Sequence, residues 1–254
     1  MSPLYEAVLQ FAREQLARSS ARPVVIGIQG PQGGGKTTLT RFMLETLPRS
    51  AAVSIDDFYM TRAGQLEVSA ANPGNPYLEH RGYPGTHDVA LGAQTLRDLK
   101  AGSAKRIPVY DKSAHGGRGD RAPENEWRAI TDPLDVVFVE GWMLGFEPIA
   151  DSAITDEPLK IANSKLPDYQ SWYAEIDAWV VLKAVDLEYV LTWRVEAEEK
   201  MKAAGKPGLS RADIEDYIRR FLPAYRTWGG APKGVPADRK LELTINLQRE
   251  LHGR

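Results

Sequence analysis

The strongest chemical signal in the chain is one run of eight residues. Gly30-Pro31-Gln32-Gly33-Gly34-Gly35-Lys36-Thr37 fits G-x-x-x-x-G-K-[ST], the phosphate-binding loop. Its glycines let backbone N–H groups turn inward around phosphate oxygens, and the following helix N-terminus adds partial positive charge. Lys36 can reach the β- and γ-phosphates, the Thr37 hydroxyl can ligate Mg²⁺, and Thr38 completes the nucleotide-binding stretch. ATP and Mg²⁺ are therefore the expected cofactors. The motif alone does not name the event, because kinases, switches and motors share it.

Transfer of a phosphoryl group to an alcohol also needs a carboxylate at the acceptor hydroxyl and oxygen ligands for the metal. Asp56 and Asp57 follow the short apolar run Ala51 to Ile55, and Glu140 follows Val136-Val137-Phe138-Val139. In an open parallel sheet the carboxyl ends of such strands line the ligand crevice. Glu140 then holds the Walker-B position, and Thr37, Glu140 and Asp56 form the candidate Mg²⁺ set. Asp56 is the expected base and Asp57 a supporting residue, although two adjacent aspartates in one turn leave either order open.

The elements that must position these groups follow from the pattern. An opening helix starts at Ser2-Pro3, with Leu4, Val8, Phe11 and Leu16 at roughly helical spacing. Val24 to Ile28 predicts a buried strand before the loop, and Thr37 to Leu47 a helix after it. Further strands are expected at 51–55, 107–110, 135–139, 178–183 and 241–247, and helices at 89–100 and 187–201. Ser210-Arg211-Ala212-Asp213 resembles a capping box opening a helix to about Leu222. Residues 60–87, with Pro73, Gly74, Pro76, Gly82, Pro84 and Gly85, are expected to form one long irregular loop. Strands alternating with helices predict an α/β fold, a mostly parallel sheet with helices on both faces. The 254 residues suit a single domain, with acceptor-binding loops at about 60–125.

Four further blocks extend the signal. They are Ser54-Ile55-Asp56-Asp57-Phe58-Tyr59, Arg81-Gly82-Tyr83-Pro84-Gly85-Thr86-His87-Asp88, the run Tyr110 to Arg121, and Val139-Glu140-Gly141-Trp142-Met143-Leu144-Gly145-Phe146. In this order beside a P-loop they resemble the D-glycerate 3-kinase family, within the uridine kinase, phosphoribulokinase and pantothenate kinase superfamily of P-loop proteins. The resemblance covers positions 30 to 146 and is looser beyond. It implies a P-loop NTPase fold with a five-stranded sheet in the order 2-3-1-4-5, and transfer of the ATP γ-phosphate to D-glycerate, giving phosphoglycerate. It also implies a lid at about 190–210 whose arginine approaches the transferring phosphate. Arg194 is the first candidate there, with Lys200 and Lys202 as alternatives. A solvated helix face with pairs such as Glu196 and Lys200 would account for the same charges.

Glycerate is a small carboxylate, so its site wants a cation, preferably a bidentate arginine. Arg81, Lys112, Arg118 and Arg121 all sit in Gly- or Pro-rich loops, with Arg81 and Arg118 the first choices. Surface solvation is the plain alternative for any one of them. Tyr110 could donate a hydrogen bond or simply pack. His115 completes the candidate acceptor set, where plant members of the family carry Tyr. Nucleoside kinases of the superfamily hold ribose with an Asp in F-D-H-P. Here Arg81-Gly82-Tyr83-Pro84 stands in that place, which argues for an anion and against a ribose. His87 and the tryptophans, Trp142 and Trp193 among them, are expected to be structural.

Composition bounds the remainder. The 32 Lys and Arg against 34 Asp and Glu give a net charge of −2, so no global field attracts nucleic acid or an anionic membrane. There is no cysteine, which excludes disulfides, zinc–thiolate sites and cysteine nucleophiles. No secretory pattern and no apolar run near the ~20 residues of a membrane span is visible, so a cytoplasmic protein is expected. Two other functions stay open: a kinase for a nucleoside or pantothenate, and a nucleotide-gated binding or assembly protein. No guanine-reading N-K-x-D is present.

Overall fold

Five runs form one parallel sheet in the computed structural model, which describes residues 2–203, 205 and 211–253. They are β1 (Val24–Gln29), β2 (Ser50–Ser54), β3 (Val136–Gly141), β4 (Ala178–Ala184) and β5 (Lys240–Ile245). Their spatial order is β2-β3-β1-β4-β5, every pair parallel. This is the expected 2-3-1-4-5 order.

Both faces of the sheet are covered, which is why its central strands read as continuous apolar runs. Val24, Ile26 and Ile28 of β1 join one core cluster, and Val25 joins the other. The first cluster takes residues from α1 (Pro3–Arg18), α2 (Lys36–Thr46), α6 (Tyr189–Ala203) and α7 (Arg211–Arg219). The second takes residues from α4 (Val89–Lys100), α5 (Leu159–Lys165) and α8 (Leu222–Trp228). A further helix, α3, spans Arg62–Ala71, and single helical turns lie at Ala114–Gly117 and Gln170–Tyr173.

α3 corrects the expectation of one long loop over 60–87. Thr61 caps it by accepting from the Gly64 N–H at 3.3 Å, and buried Gln65 donates to the Leu78 carbonyl at 3.0 Å. Apart from Gly64 in its first turn, the prolines and glycines lie beyond it, from Pro73 onward, so they rule only the second half of the segment. The strand expected at 107–110 is two short pieces. Arg106–Ile107 pairs with Arg128–Ala129, and Tyr110–Asp111 pairs with Asp120–Arg121. Pro108 between them has no N–H to continue a ladder. The helix expected to reach Leu222 stops at Arg219, and α8 starts separately. Ser210, the proposed cap, lies outside the described residues, as do 204 and 206–209 of the expected lid. Among the described residues no helix is long and apolar enough to cross a membrane.

Candidate active site

β1 delivers the chain to the phosphate loop, and α2 carries it away. Gly33 and Gly35 have φ of 74° and 88°, left-handed values that favour glycine. A Cβ on Gly33 would also lie 2.5 Å from the Cβ of Trp193, because α6 packs directly on the loop. Lys36 Nζ donates to the carbonyls of Gly30 and Pro31, at 2.8 and 3.0 Å. Burial lowers its pKa, while Glu140 and Asp56 pull the other way. The Gln32 N–H donates to the Tyr225 hydroxyl at 2.9 Å. Thr38 faces solvent in the first turn of α2.

The strand-end acids converge on this loop. Glu140 pairs in register with Ile28 of β1 and with Ser54 of β2, at the carboxyl ends of three adjacent strands. The Thr37 hydroxyl donates to it, at 3.0 Å to Oε1 and 3.3 Å to Oε2. Burial pushes the Glu140 carboxyl above its usual range, against Lys36 and Thr37. A hydroxyl and a carboxylate at one site are hard oxygen donors that suit Mg²⁺, which commonly takes one or two carboxylates and completes its shell with water and substrate phosphates. Among the described residues no cluster of three or more His, Cys, Asp or Glu forms a self-sufficient metal site.

A local cap separates the two aspartates. After β2 the chain enters a 3₁₀ turn, Ile55–Phe58, in which the Ser54 hydroxyl accepts from the Asp56 N–H at 3.3 Å. Asp57 reaches back to accept from the Ser54 N–H at 3.2 Å, and Arg128 holds its carboxylate at 2.8 Å. Asp57 is thereby occupied by the turn. Asp56 faces the cavity, where Lys112 Nζ lies 2.5 Å from its Oδ2. Burial would raise the Asp56 carboxyl, but the charge and hydrogen bond of Lys112 outweigh it and hold the group below its usual range.

The cavity, about 300 Å³, brings Gln32, Gly33, Lys36 and Thr37 together with Asp56, Lys112, Glu140 and Arg194. The other acceptor candidates lie outside its lining. Arg81, a first choice for the acceptor anion, donates to the carbonyls of Gly117 (3.0 Å) and Arg118, and its guanidinium lies 5.4 Å over the Tyr110 ring. Arg118, the other first choice, is exposed and sits 3.2 Å from His80 Nδ1. Arg121 pairs with Asp88, the N-cap of α4, at 3.0 Å and donates to the Tyr59 carbonyl at 3.2 Å. His115 pairs with Asp120 at 3.1 Å, and Tyr110 is buried edge-on to Tyr59. These side chains shape the loops that present Lys112. Of the four loop cations Lys112 alone lines the cavity.

Arg194 enters from α6, ion-paired to Glu198 one turn on, with its guanidinium 5.4 Å over the ring of Tyr217. Lys200 and Lys202 are exposed and do not line the cavity. Glu196 pairs with Arg249, at 2.8 Å, and not with Lys200 as the solvated-face alternative had it.

Tyr217 and Arg249 were not found by sequence reasoning. Tyr217 has no motif around it. Arg249 had a usable signal, since it lies just past β5, at the carboxyl edge where such sheets bind ligands. Its Nε donates to the Gly33 carbonyl at 2.7 Å, and its guanidinium lies 5.3 Å over Trp193. With Glu196 it joins the phosphate loop, α6 and the C-terminal turn. Arg249→Ala should raise the KM for ATP about tenfold with kcat changed less than about threefold, because it loosens the loop before chemistry begins. Steady-state kinetics with ATP varied checks this; a kcat loss at unchanged KM would contradict it.

Residues 25–153 match the model of the phosphoribulokinase / uridine kinase family. The chain is 42% identical over 244 residues to the chloroplastic D-glycerate 3-kinase of Arabidopsis thaliana, covering 89% of this chain and 53% of the plant protein. It thus spans about half the length of that relative. It is 36% identical over 240 residues to an uncharacterized kinase of Schizosaccharomyces pombe, covering 87% of this chain and 86% of the yeast protein. The D-glycerate 3-kinase from Cryptococcus neoformans has the same architecture, with a TM-score of 0.90 and 30% identity over 100% of this chain and 99% of that one. The phosphate loop, the strand-end acids and the sheet order had already narrowed the choice, and with these matches the chain belongs to the phosphoribulokinase / uridine kinase family.

Proposed function

We propose that the protein transfers the γ-phosphate of ATP to a hydroxyl of D-glycerate. The observation that carries this reading is that the phosphate loop and the Asp56–Lys112 pair open into one cavity, with Arg194 on its wall. A carboxylate for the acceptor hydroxyl and an ammonium for an acceptor anion thus stand together across from the nucleotide cradle. The likeness to two proteins named D-glycerate 3-kinase supports the choice of acceptor, and with it the 3-hydroxyl as the accepting oxygen.

In this reading the N–H groups of the loop and Lys36 hold the ATP phosphates. Thr37 and Glu140 would hold Mg²⁺, which when bound supplies positive charge to the phosphate oxygens. Lys112 moves from Asp56 to the glycerate carboxylate, and Asp56 accepts the proton of the attacking hydroxyl. Arg194 offsets charge developing on the transferring group, and α6 and α7 keep water away from it.

The test is coupled ADP release with D-glycerate, L-glycerate, glycerol, uridine and pantothenate as acceptors. D-Glycerate should be turned over and uridine not at all. Strong activity on uridine without any on glycerate would overturn the reading. Glu140→Gln should raise the Mg²⁺ concentration needed for half-maximal activity by roughly 10–100-fold, as loss of a metal-orienting group typically does. An unchanged metal titration would remove Glu140 from the metal set.

A further inference from the structure

Part of the cavity wall is aromatic, with Trp142 and Tyr217 in its lining. Trp142 packs edge-on against Phe221, with ring centroids 5.1 Å apart, and Phe221 carries Tyr217 at 4.9 Å. Trp142 and Phe221 are buried, whereas Tyr217 keeps 37% of its surface exposed. Its ring lies beneath the Arg194 guanidinium and lines the cavity beside Asp56 and Lys112. The charges of Arg194, Asp56 and Lys112 all act on its phenol. Tyr217 thus shares the cavity with Asp56 and Lys112 and rests against Phe221, which cannot recede because it and Trp142 are fixed in the core.

From this arrangement we infer that Tyr217 is a specificity-determining residue that limits the carbon-chain length of the acceptor, admitting a three-carbon hydroxy acid and turning away four-carbon aldonic acids. The inference rests on the function proposed above. A tyrosine ring has two side-chain torsions, and here contact with the Phe221 ring and the Arg194 guanidinium restricts both. An acceptor anchored by its carboxylate at Lys112, with its reacting hydroxyl at Asp56, has no freedom to slide away from the ring. One added carbon must then displace either the ring or the anchored ends. Discrimination of one carbon unit by a close-fitting wall is commonly about 10–200-fold.

The experiment compares kcat/KM for D-erythronate, a four-carbon aldonic acid, with that for D-glycerate. The ratio is taken within one preparation, so the folded fraction cancels. Wild-type protein should favour D-glycerate by at least ~10-fold. Tyr217→Ala should raise the erythronate-to-glycerate ratio by at least ~10-fold, and Tyr217→Phe, which keeps the ring, should leave it within about threefold. An unchanged ratio in Tyr217→Ala overturns the inference, as does a wild-type protein that uses the two acids equally well. If Tyr217→Ala is inactive on both acids, Tyr217→Leu carries the same comparison. An unchanged ratio there, or inactivity of both variants, assigns Tyr217 another role and overturns the gate. Absence of wild-type activity on D-glycerate would instead defeat the proposed function, so the two failures are distinct.

Discussion

Asp56→Asn should lower kcat on D-glycerate by about 10²–10⁴, the usual worth of a positioned general base. The amide keeps the size of the side chain and can still accept a hydrogen bond from Lys112, so the 2.5 Å contact can relax without collapse of the cavity. What it cannot do is take a proton from the acceptor hydroxyl. Asp57→Asn should cost far less in kcat, because Asp57 is engaged by the Ser54 N–H and Arg128 and does not line the cavity. Its loss should show instead as a lower melting temperature, since it belongs to the cap of the turn that carries Asp56. Single-turnover rates with saturating ATP, alongside thermal melts, separate the two. A larger kinetic loss in Asp57→Asn than in Asp56→Asn would reverse the assignment.

Wild-type kcat/KM for D-glycerate should exceed that for glycerol by about 10³, and Lys112→Met should remove most of the difference. Glycerol replaces the carboxylate of glycerate with a hydroxymethyl group, so it leaves the site's cation without its anion. A site built for a polar or charged group rejects the analogue lacking it, since the partner is left unpaired on binding. Truncating one member of a closely held charge pair typically costs about 2–5 kcal/mol, which spans the tenfold steps needed here. Methionine retains the length and most of the apolar stem of lysine, which limits damage to the loop. The decisive feature is the asymmetry. Glycerate use should fall about 10²–10³ in the variant while glycerol use changes little. Parallel loss on both acceptors would mean that Lys112 serves Asp56 or the phosphate and not the acceptor anion. Arg81→Met is the informative control. Arg81 holds the carbonyls of Gly117 and Arg118, so its loss should damage both acceptors together through the loop.

The sequence by itself determined the phosphate loop, because its chemistry is local. Spacing, glycine content and the strand-to-helix context all fall within some fifteen consecutive residues, from Val24 to Leu39. The carboxyl-end placement of Asp56 and Glu140 was equally legible, since buried apolar runs in an alternating α/β pattern leave few arrangements. The separation of Asp56 from Asp57 was legible in principle. Ser54 and Asp57 stand at the S-x-x-D spacing of a cap, and the structure closes that cap.

Only the tertiary structure decided which loop cation lines the cavity. Arg81, Lys112, Arg118 and Arg121 have similar reach and lie in glycine-rich segments where backbone direction is not coded by periodicity. Each could find a polar partner, and three of them did so away from the cavity: Arg81 on carbonyls, Arg118 beside His80 and Arg121 on Asp88. The same reason hid Tyr217 and Arg249. Tyr217 reaches Arg194 from a different helix, and Arg249 meets Gly33 from 216 residues away in the chain. A local pattern can place a backbone at a strand end. Which side chains converge there depends on how distant loops pack, and no single stretch of the chain records it.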